Sequence, residues 1–270
     1  MTSKTLNRLY LIVSLLFFVV LWSLKILEDT HVIGFHTLPV RILVPGYVGI
    51  TVLYNLLARG FERTRLITVA LLFAMLAEII NAMNMDFGLL FFAVTHACLM
   101  VFHWKKTAHL ENASSTAGAS ARITSRLRPE PDSPVPAEPH LPYARYRRLE
   151  LISAVVMAVL FLVIVVSIEL NLHEQNLEYE LVVPLYMVIL SLMAWRSICT
   201  FGERQSGRII AGSLLFYACD VFILAELTAP NFSNPPLTLL ILSWLCYLPA
   251  LFLLSCIGKD IFTFKRWPNF

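Results

Sequence analysis

Residues Leu149–Leu170 read LELISAVVMAVLFLVIVVSIEL, and the only charges in the run are Glu150 and Glu169 near its ends. A bilayer-spanning helix needs about 20 mostly apolar residues, and this stretch supplies them without a break. Working outward, the same pattern recurs on both sides. Leu9–Leu27, Leu38–Ala58, Arg65–Ala82 and Gly88–Trp104 precede it, and Leu181–Phe201, Arg208–Leu227 and Pro236–Gly258 follow. Residues Met1–Glu28 have the outline of a signal peptide, with Lys4 and Arg8 as its basic start. Their apolar run is too long, and no small-residue cleavage site follows, so they read as the first span. The expectation is an all-α, polytopic integral membrane protein of eight transmembrane helices. Composition agrees: of 270 residues, 58% are hydrophobic and 14% charged, with a mean hydropathy of +0.72. A soluble domain is about half apolar and a quarter charged. That difference argues against a cytosolic enzyme, a disordered chain and a nucleic-acid binder.

Charge sorts the connections. Lys4 and Arg8, then Arg59, Arg63 and Arg65, then Lys105, Lys106, Arg145, Arg147 and Arg148, then Arg204 and Arg208, and finally Lys259, Lys265 and Arg266 fall on one side. The alternate connections hold Asp29, Asp86, Glu174, Glu178 and Glu180, with only Lys25 and Arg41 as cations. Basic connections stay in the cytoplasm, so both termini are expected there, and an even number of spans satisfies that parity. Residues 105–148 read as a flexible cytoplasmic linker. Its centre, Thr107–Pro142, is rich in Ser, Ala and Pro and cannot bury enough apolar surface to offset its ordering entropy. The chain then divides into a membrane half at 1–104, the linker at 105–148, and a second membrane half at 149–270. Cys98, Cys199, Cys219, Cys246 and Cys256 lie in apolar stretches without CxxC or CxxH spacing. They read as buried apolar residues, so no metal and no cofactor is expected.

The halves echo one another. Leu71-Leu72-Phe73 is followed by Glu78, and Leu214-Leu215-Phe216 by Asp220. The two spans involved point the same way, as parallel four-helix repeats would, although Leu-Leu-Phe is common in membrane helices. The acids carry more information. A carboxylate at a helix centre costs about 2.5–3.5 kcal/mol on insertion scales, and such groups usually face a polar interior. Asn81 lies one turn after Glu78 and Tyr217 one turn before Asp220, so each pair shares a helix face. His96, Arg196, Tyr186 and Tyr247 are further polar groups within spans. Structural roles compete with functional ones at each position. Glu78 is near a span end and within reach of the interface. Asp220 has Arg196 or His96 as a structural partner, and His96 suits a helix–helix hydrogen bond. Arg196, beside Trp195, suits an interfacial anchor, and Tyr186 and Tyr247 suit packing. Glu169 and Glu226 read as interfacial.

Several of these segments resemble a known family. Gly88-Leu89-Leu90-Phe91-Phe92-Ala93-Val94-Thr95-His96 resembles the G-L-x-x-F-x-x-A-H stretch of the YhhN family, eight-span membrane proteins that include lysoplasmalogenases. Leu71-Leu72-Phe73-Ala74-Met75-Leu76-Ala77-Glu78 resembles its L-x-F-S-x-x-G-D, and Met193-Ala194-Trp195-Arg196 its M-x-A-x-R region. Gly212-Ser213-Leu214-Leu215-Phe216-Tyr217-Ala218-Cys219-Asp220 is similar to G-x-L-L-F-x-x-S-D, and Tyr247 and Ala250 fall where Y-x-x-A-Q would. The resemblance covers roughly residues 38–104 and 180–258. Departures include Glu78 for Asp, Ala77 for Gly, Thr95 for Ala, Leu99 for Tyr, Cys219 for Ser, Leu251 for Gln, and the long linker.

The resemblance implies hydrolysis of the vinyl-ether bond of a lysoplasmalogen to a fatty aldehyde and a glycerophospho-ethanolamine or -choline. Such cleavage protonates an alkene carbon and lets water capture the resulting cation, a task for one acid and one carboxylate, as in glycoside cleavage. Glu78 and Asp220 are the catalytic candidates. Asn81, His96, Tyr186, Arg196, Tyr217 and Tyr247 are candidates to bind substrate or water, with Arg196 toward a phosphate. The implied partners are a lysophospholipid and the bilayer, with no nucleic acid and with homodimerisation an open question. The implied location is a multi-pass position in the endoplasmic reticulum of a eukaryote or the inner membrane of a bacterium. The alternative is a lipid-binding or transport protein of the same fold without chemistry.

Overall fold

A computed structural model describes residues 3–29, 38–58, 61–81, 85–124, 143–172, 177–201, 205–227 and 237–258. Among these the chain is all-α, in the order α1 (Ser3–Asp29), α2 (Leu38–Leu57), α3 (Phe61–Asn81), α4 (Met85–Thr124), α5 (Tyr143–Leu172), α6 (Leu177–Ile198), α7 (Ser206–Leu227) and α8 (Leu237–Ser255). The side chains of Lys25, Asp29, Arg41, Asp86, Glu169, Glu174, Glu178, Glu180 and Glu226 lie outside what is described. α5 shows why helices form at all. It is rich in Val and Ile, which favour strands in water. In hydrocarbon every backbone N–H and C=O must be satisfied within the segment, and a helix does that without a neighbour. The same reasoning accommodates Pro45, Pro184 and Pro249 inside α2, α6 and α8.

Among the described residues, four stretches are long and apolar enough to cross a membrane: Lys4–Leu24, Phe87–Ala108, Arg147–Ser167 and Ser206–Ala225. Shorter apolar stretches lie at Ile42–Leu57, Val182–Ile198 and Ile241–Ser255. The surface says the same as the lengths. Leu151, Ile152, Val155, Val159, Leu162 and Val163 of α5 are exposed, as are Ile12, Leu15, Leu16 and Val19 of α1. An exposed apolar face of that extent suits lipid and not water. The protein is therefore membrane-embedded. The count of eight crossings comes from the apolar runs of the sequence, and the side of the termini from its charge pattern.

α4 runs further than its apolar stretch. It continues through Lys105 to Thr124, into the segment expected to be a flexible linker. The physical reason is local. The prolines of that segment begin only at Pro129, whereas the preceding stretch is rich in alanine, the best helix former. Residues 125–142, which carry the prolines, lie outside the described part.

Contacts show that neighbouring helices alternate in direction and bring the basic ends together. Arg208, at the start of α7, donates to the Cys256 carbonyl just past the end of α8, at 3.3 Å. Tyr10 of α1 stacks on Tyr54 of α2, with ring centroids 3.8 Å apart, and bonds Ser255 of α8 at 2.6 Å. Trp104 of α4 and Glu150 of α5 meet Arg196 of α6 at the same end. Gly258, at φ 80°, closes α8 in a left-handed turn and donates its N–H to Gln205.

The halves interleave. α8 touches α1, α2 and α3 as well as α7, and α4 packs on α6. Their common core includes Leu71, Leu99, Leu190, Met193, Phe216 and Leu251. At the other end α3 and α4 approach closely around Gly88. A Cβ there would sit 2.8 Å from the Asn81 Cβ and 2.9 Å from its Cα. Gly88→Ala is therefore expected to push α3 and α4 apart and destabilise the protein by about 1–3 kcal/mol. A detergent thermal-unfolding midpoint equal to wild type would refute that.

Candidate functional site

Five helices from both halves meet around one acid. Asp220 sits on α7, seven residues before its C-terminus. Its Oδ2 accepts from His96 Nε2 of α4 at 2.6 Å and from the Tyr186 hydroxyl of α6 at 2.5 Å. The two donors are themselves 3.1 Å apart. An oxygen with two donors suits an ionised carboxylate, which accepts and does not donate. When Nε2 of His96 carries its proton toward Asp220, Nδ1 is the free lone pair of the neutral ring. It is buried and has no partner among the described residues. Phe216, one turn before Asp220, lays its ring edgewise against the imidazole at 4.8 Å.

Glu78 approaches from α3, at half burial. Its carboxyl lies beside the Tyr247 hydroxyl of α8 and interacts electrostatically with Asp220. The Tyr247 hydroxyl stops short of a well-formed hydrogen bond and is buried. Phe92, Phe216 and Trp244 pack edgewise on the Tyr247 ring. The result is two carboxyl groups in an aromatic setting, Asp220 buried and held by two donors, Glu78 half-buried with a single phenol beside it. In such a setting the local dielectric is low, and each polar contact acts more strongly than in water.

The structure therefore brings Glu78, His96, Tyr186, Asp220 and Tyr247 together. The other candidates stand apart. Tyr217 is buried with its hydroxyl toward Ser191 of α6. Asn81 is exposed at the end of α3, one turn beyond Glu78. Arg196 lies ten residues along α6 from Tyr186, about 15 Å at the helical rise. Its guanidinium sits 4.0 Å over the Trp104 ring and 4.5 Å over Trp195, with Nη1 3.5 Å from Glu150. Of the two structural partners weighed for Asp220, His96 is the one it has, and Arg196 pairs with Glu150. The guanidinium between two indoles suits an interfacial anchor.

One pair was missed in the sequence. His103 Nε2 and Ser213 Oγ are 2.9 Å apart and fully buried. His103 follows His96 by two helical turns, and Ser213 precedes Asp220 by the same interval. α4 and α7 run antiparallel, so the two pairs form successive rungs between them. The signal was present as two polar residues one heptad from the candidate pair, in opposite directions. Ser213→Ala removes a partner from a buried imidazole. Its expected effect is a loss of about 1 kcal/mol of stability with KM unchanged. A denaturation curve beside a kinetic assay checks this, and a large KM change would contradict it.

Among proteins of known family, the YhhN family model matches residues 140–256. That span takes in α5, α6, α7 and α8, and with them Tyr186, Asp220 and Tyr247. No curated protein and no solved structure matches the chain.

Proposed function

We propose that this chain, which belongs to the YhhN family through residues 140–256, is a membrane hydrolase that cleaves the vinyl-ether bond of a lysoplasmalogen. One observation carries the reading. Two carboxyl groups from different halves interact electrostatically among aromatic rings, and they differ in their hydrogen bonds. Neighbouring acids in unlike surroundings divide into a proton donor and a base. Asp220, bonded by His96 and Tyr186, is the ionised member. Glu78, with only the Tyr247 hydroxyl beside it, is the protonated one.

The chemistry then balances. Glu78 gives its proton to the alkene carbon beta to the ether oxygen, and the cation that forms is stabilised by the Asp220 carboxylate. Water adds to the carbon bearing the oxygen and passes a proton to Asp220, which leaves a hemiacetal. The hemiacetal hydroxyl returns a proton to Glu78, and Asp220 protonates the departing glycerol oxygen. The products are a fatty aldehyde and a glycerophospho-alcohol, and both carboxyl groups are restored. His96 and Tyr186 hold Asp220 in place for each step, and the aromatic lining keeps bulk water from the cation.

The test is aldehyde release by detergent-purified protein from an alkenyl lysophosphatidylethanolamine, beside its alkyl and acyl counterparts. Aldehyde from the alkenyl lipid alone supports the reading. An alkyl ether has no alkene carbon to protonate. No release from a stable, monodisperse protein across a broad pH range would instead favour a lipid-binding or transport role for the same site.

A further inference from the structure

We infer that the head group of the single-chain lipid binds at the α3–α4 end of the bundle, so that substrate comes from the leaflet opposite the basic helix ends. The lipid class rests on the hydrolase reading, whereas the choice of end rests on three observations.

The first is a gradient of exposure. Asn81, at the end of α3, is exposed, and Glu78 one turn deeper is half-buried. The Asp220 side chain is 6% exposed and that of His96 0%. Beyond them, toward the basic end, His103 and Ser213 are fully buried, as are Leu190 and Met193. Exposure rises from Asp220 toward Asn81 and falls to nothing toward the basic end.

The second is depth. Asp220 lies seven residues from the end of α7 at Leu227 and fourteen from its start at Ser206. Those intervals are about 10 Å and about 21 Å of helix. In a glycerophospholipid five bonds separate the ether oxygen from phosphorus, a reach of about 6 Å at ordinary bond lengths. A phosphate at the Leu227 end leaves the vinyl ether near the carboxyl groups. A phosphate at the Ser206 end leaves it some two helical turns or more short of them.

The third is the cation that would otherwise compete. Arg196 is a largely buried basic side chain at the opposite end, and its guanidinium is held by Trp104, Trp195 and Glu150. Its attraction for a phosphate is real but acts too far from Asp220 to serve the substrate in the reacting position.

The experiment uses full-length protein with an N-terminal protease-removable tag, reconstituted into vesicles and separated by whether the tag faces out. Alkenyl lysophosphatidylethanolamine is added outside. A charged head group crosses hydrocarbon at high energetic cost, so vesicles with the tag inside are expected to release aldehyde about tenfold faster. Detergent should abolish the difference. Faster release with the tag outside would overturn the inference. A second readout needs no turnover. Lysophosphatidylethanolamine with a photoreactive head group is expected to label the chain near Asn81 and Phe87, competed by unlabelled lipid. Labelling near Trp104 and Arg196, or no competed labelling, would also overturn it. Labelling near Asn81 without hydrolysis in detergent would sink the hydrolase reading and leave the binding end standing.

Discussion

Asp220→Asn is expected to lower kcat for aldehyde release by about 10³-fold, within the range general acid–base groups supply. The substitution keeps the shape of the side chain. Its carbonyl oxygen still accepts from His96 Nε2 and Tyr186, so the three-residue cluster holds. What it removes is the negative charge beside the developing cation and the acceptor for the proton of water. An amide also brings two donors where the carboxylate brought none, and a modest loss of stability is the expected side effect. Thermal unfolding in detergent separates that from the kinetic effect. A stable Asp220→Asn variant with wild-type kcat would remove Asp220 from the chemistry and leave it a structural partner of His96. His96→Ala and Tyr186→Phe should fall between, because each leaves the charge and loosens its placement.

Glu78→Gln is expected to cost about as much, roughly 10²–10³ in kcat, and to change the pH profile in a way Asp220→Asn does not. In wild type the acid must hold its proton, so activity falls as pH rises through its titration. Gln cannot titrate, and the residual activity should lose that fall. Glu78→Asp retains the acid but shortens its reach by one methylene. It should keep most of the activity if α3 relaxes and lose about tenfold if the gap persists, since small misplacements weigh on rate. Equal loss of activity in Asp and Gln variants would mean that Glu78 positions a neighbour and does not transfer the proton.

Both predictions depend on residues that were legible at once. An acid inside an apolar span is costly in lipid, so Glu78 and Asp220 stood out before any contact was known. His96 and Tyr186 stood out less. A histidine or tyrosine in a membrane helix has several structural uses, and nothing in the order of residues says that His96 and Tyr186, 124 and 34 residues from Asp220, share one of its oxygens. Tyr217 and Asn81 show the converse. Each shares a helix face with an acid by spacing, yet one turns to Ser191 and the other stays at the exposed end of α3. Spacing along a helix sets the face and leaves the neighbour to packing.

The sequence alone determined that this protein lives in a membrane and is built of helices. Those features follow from local chemistry: runs of apolar side chains long enough to cross hydrocarbon, and a backbone that must satisfy itself there. It also marked where the interior is polar, because charge in lipid is rare for an energetic reason that needs no fold. Tertiary structure decided the rest. It set Asp220 against His96 and Tyr186 and gave Arg196 to two indoles and Glu150. These are choices among partners of similar local chemistry. Only the packing of five helices from two halves, at a register no short window contains, selects one of them.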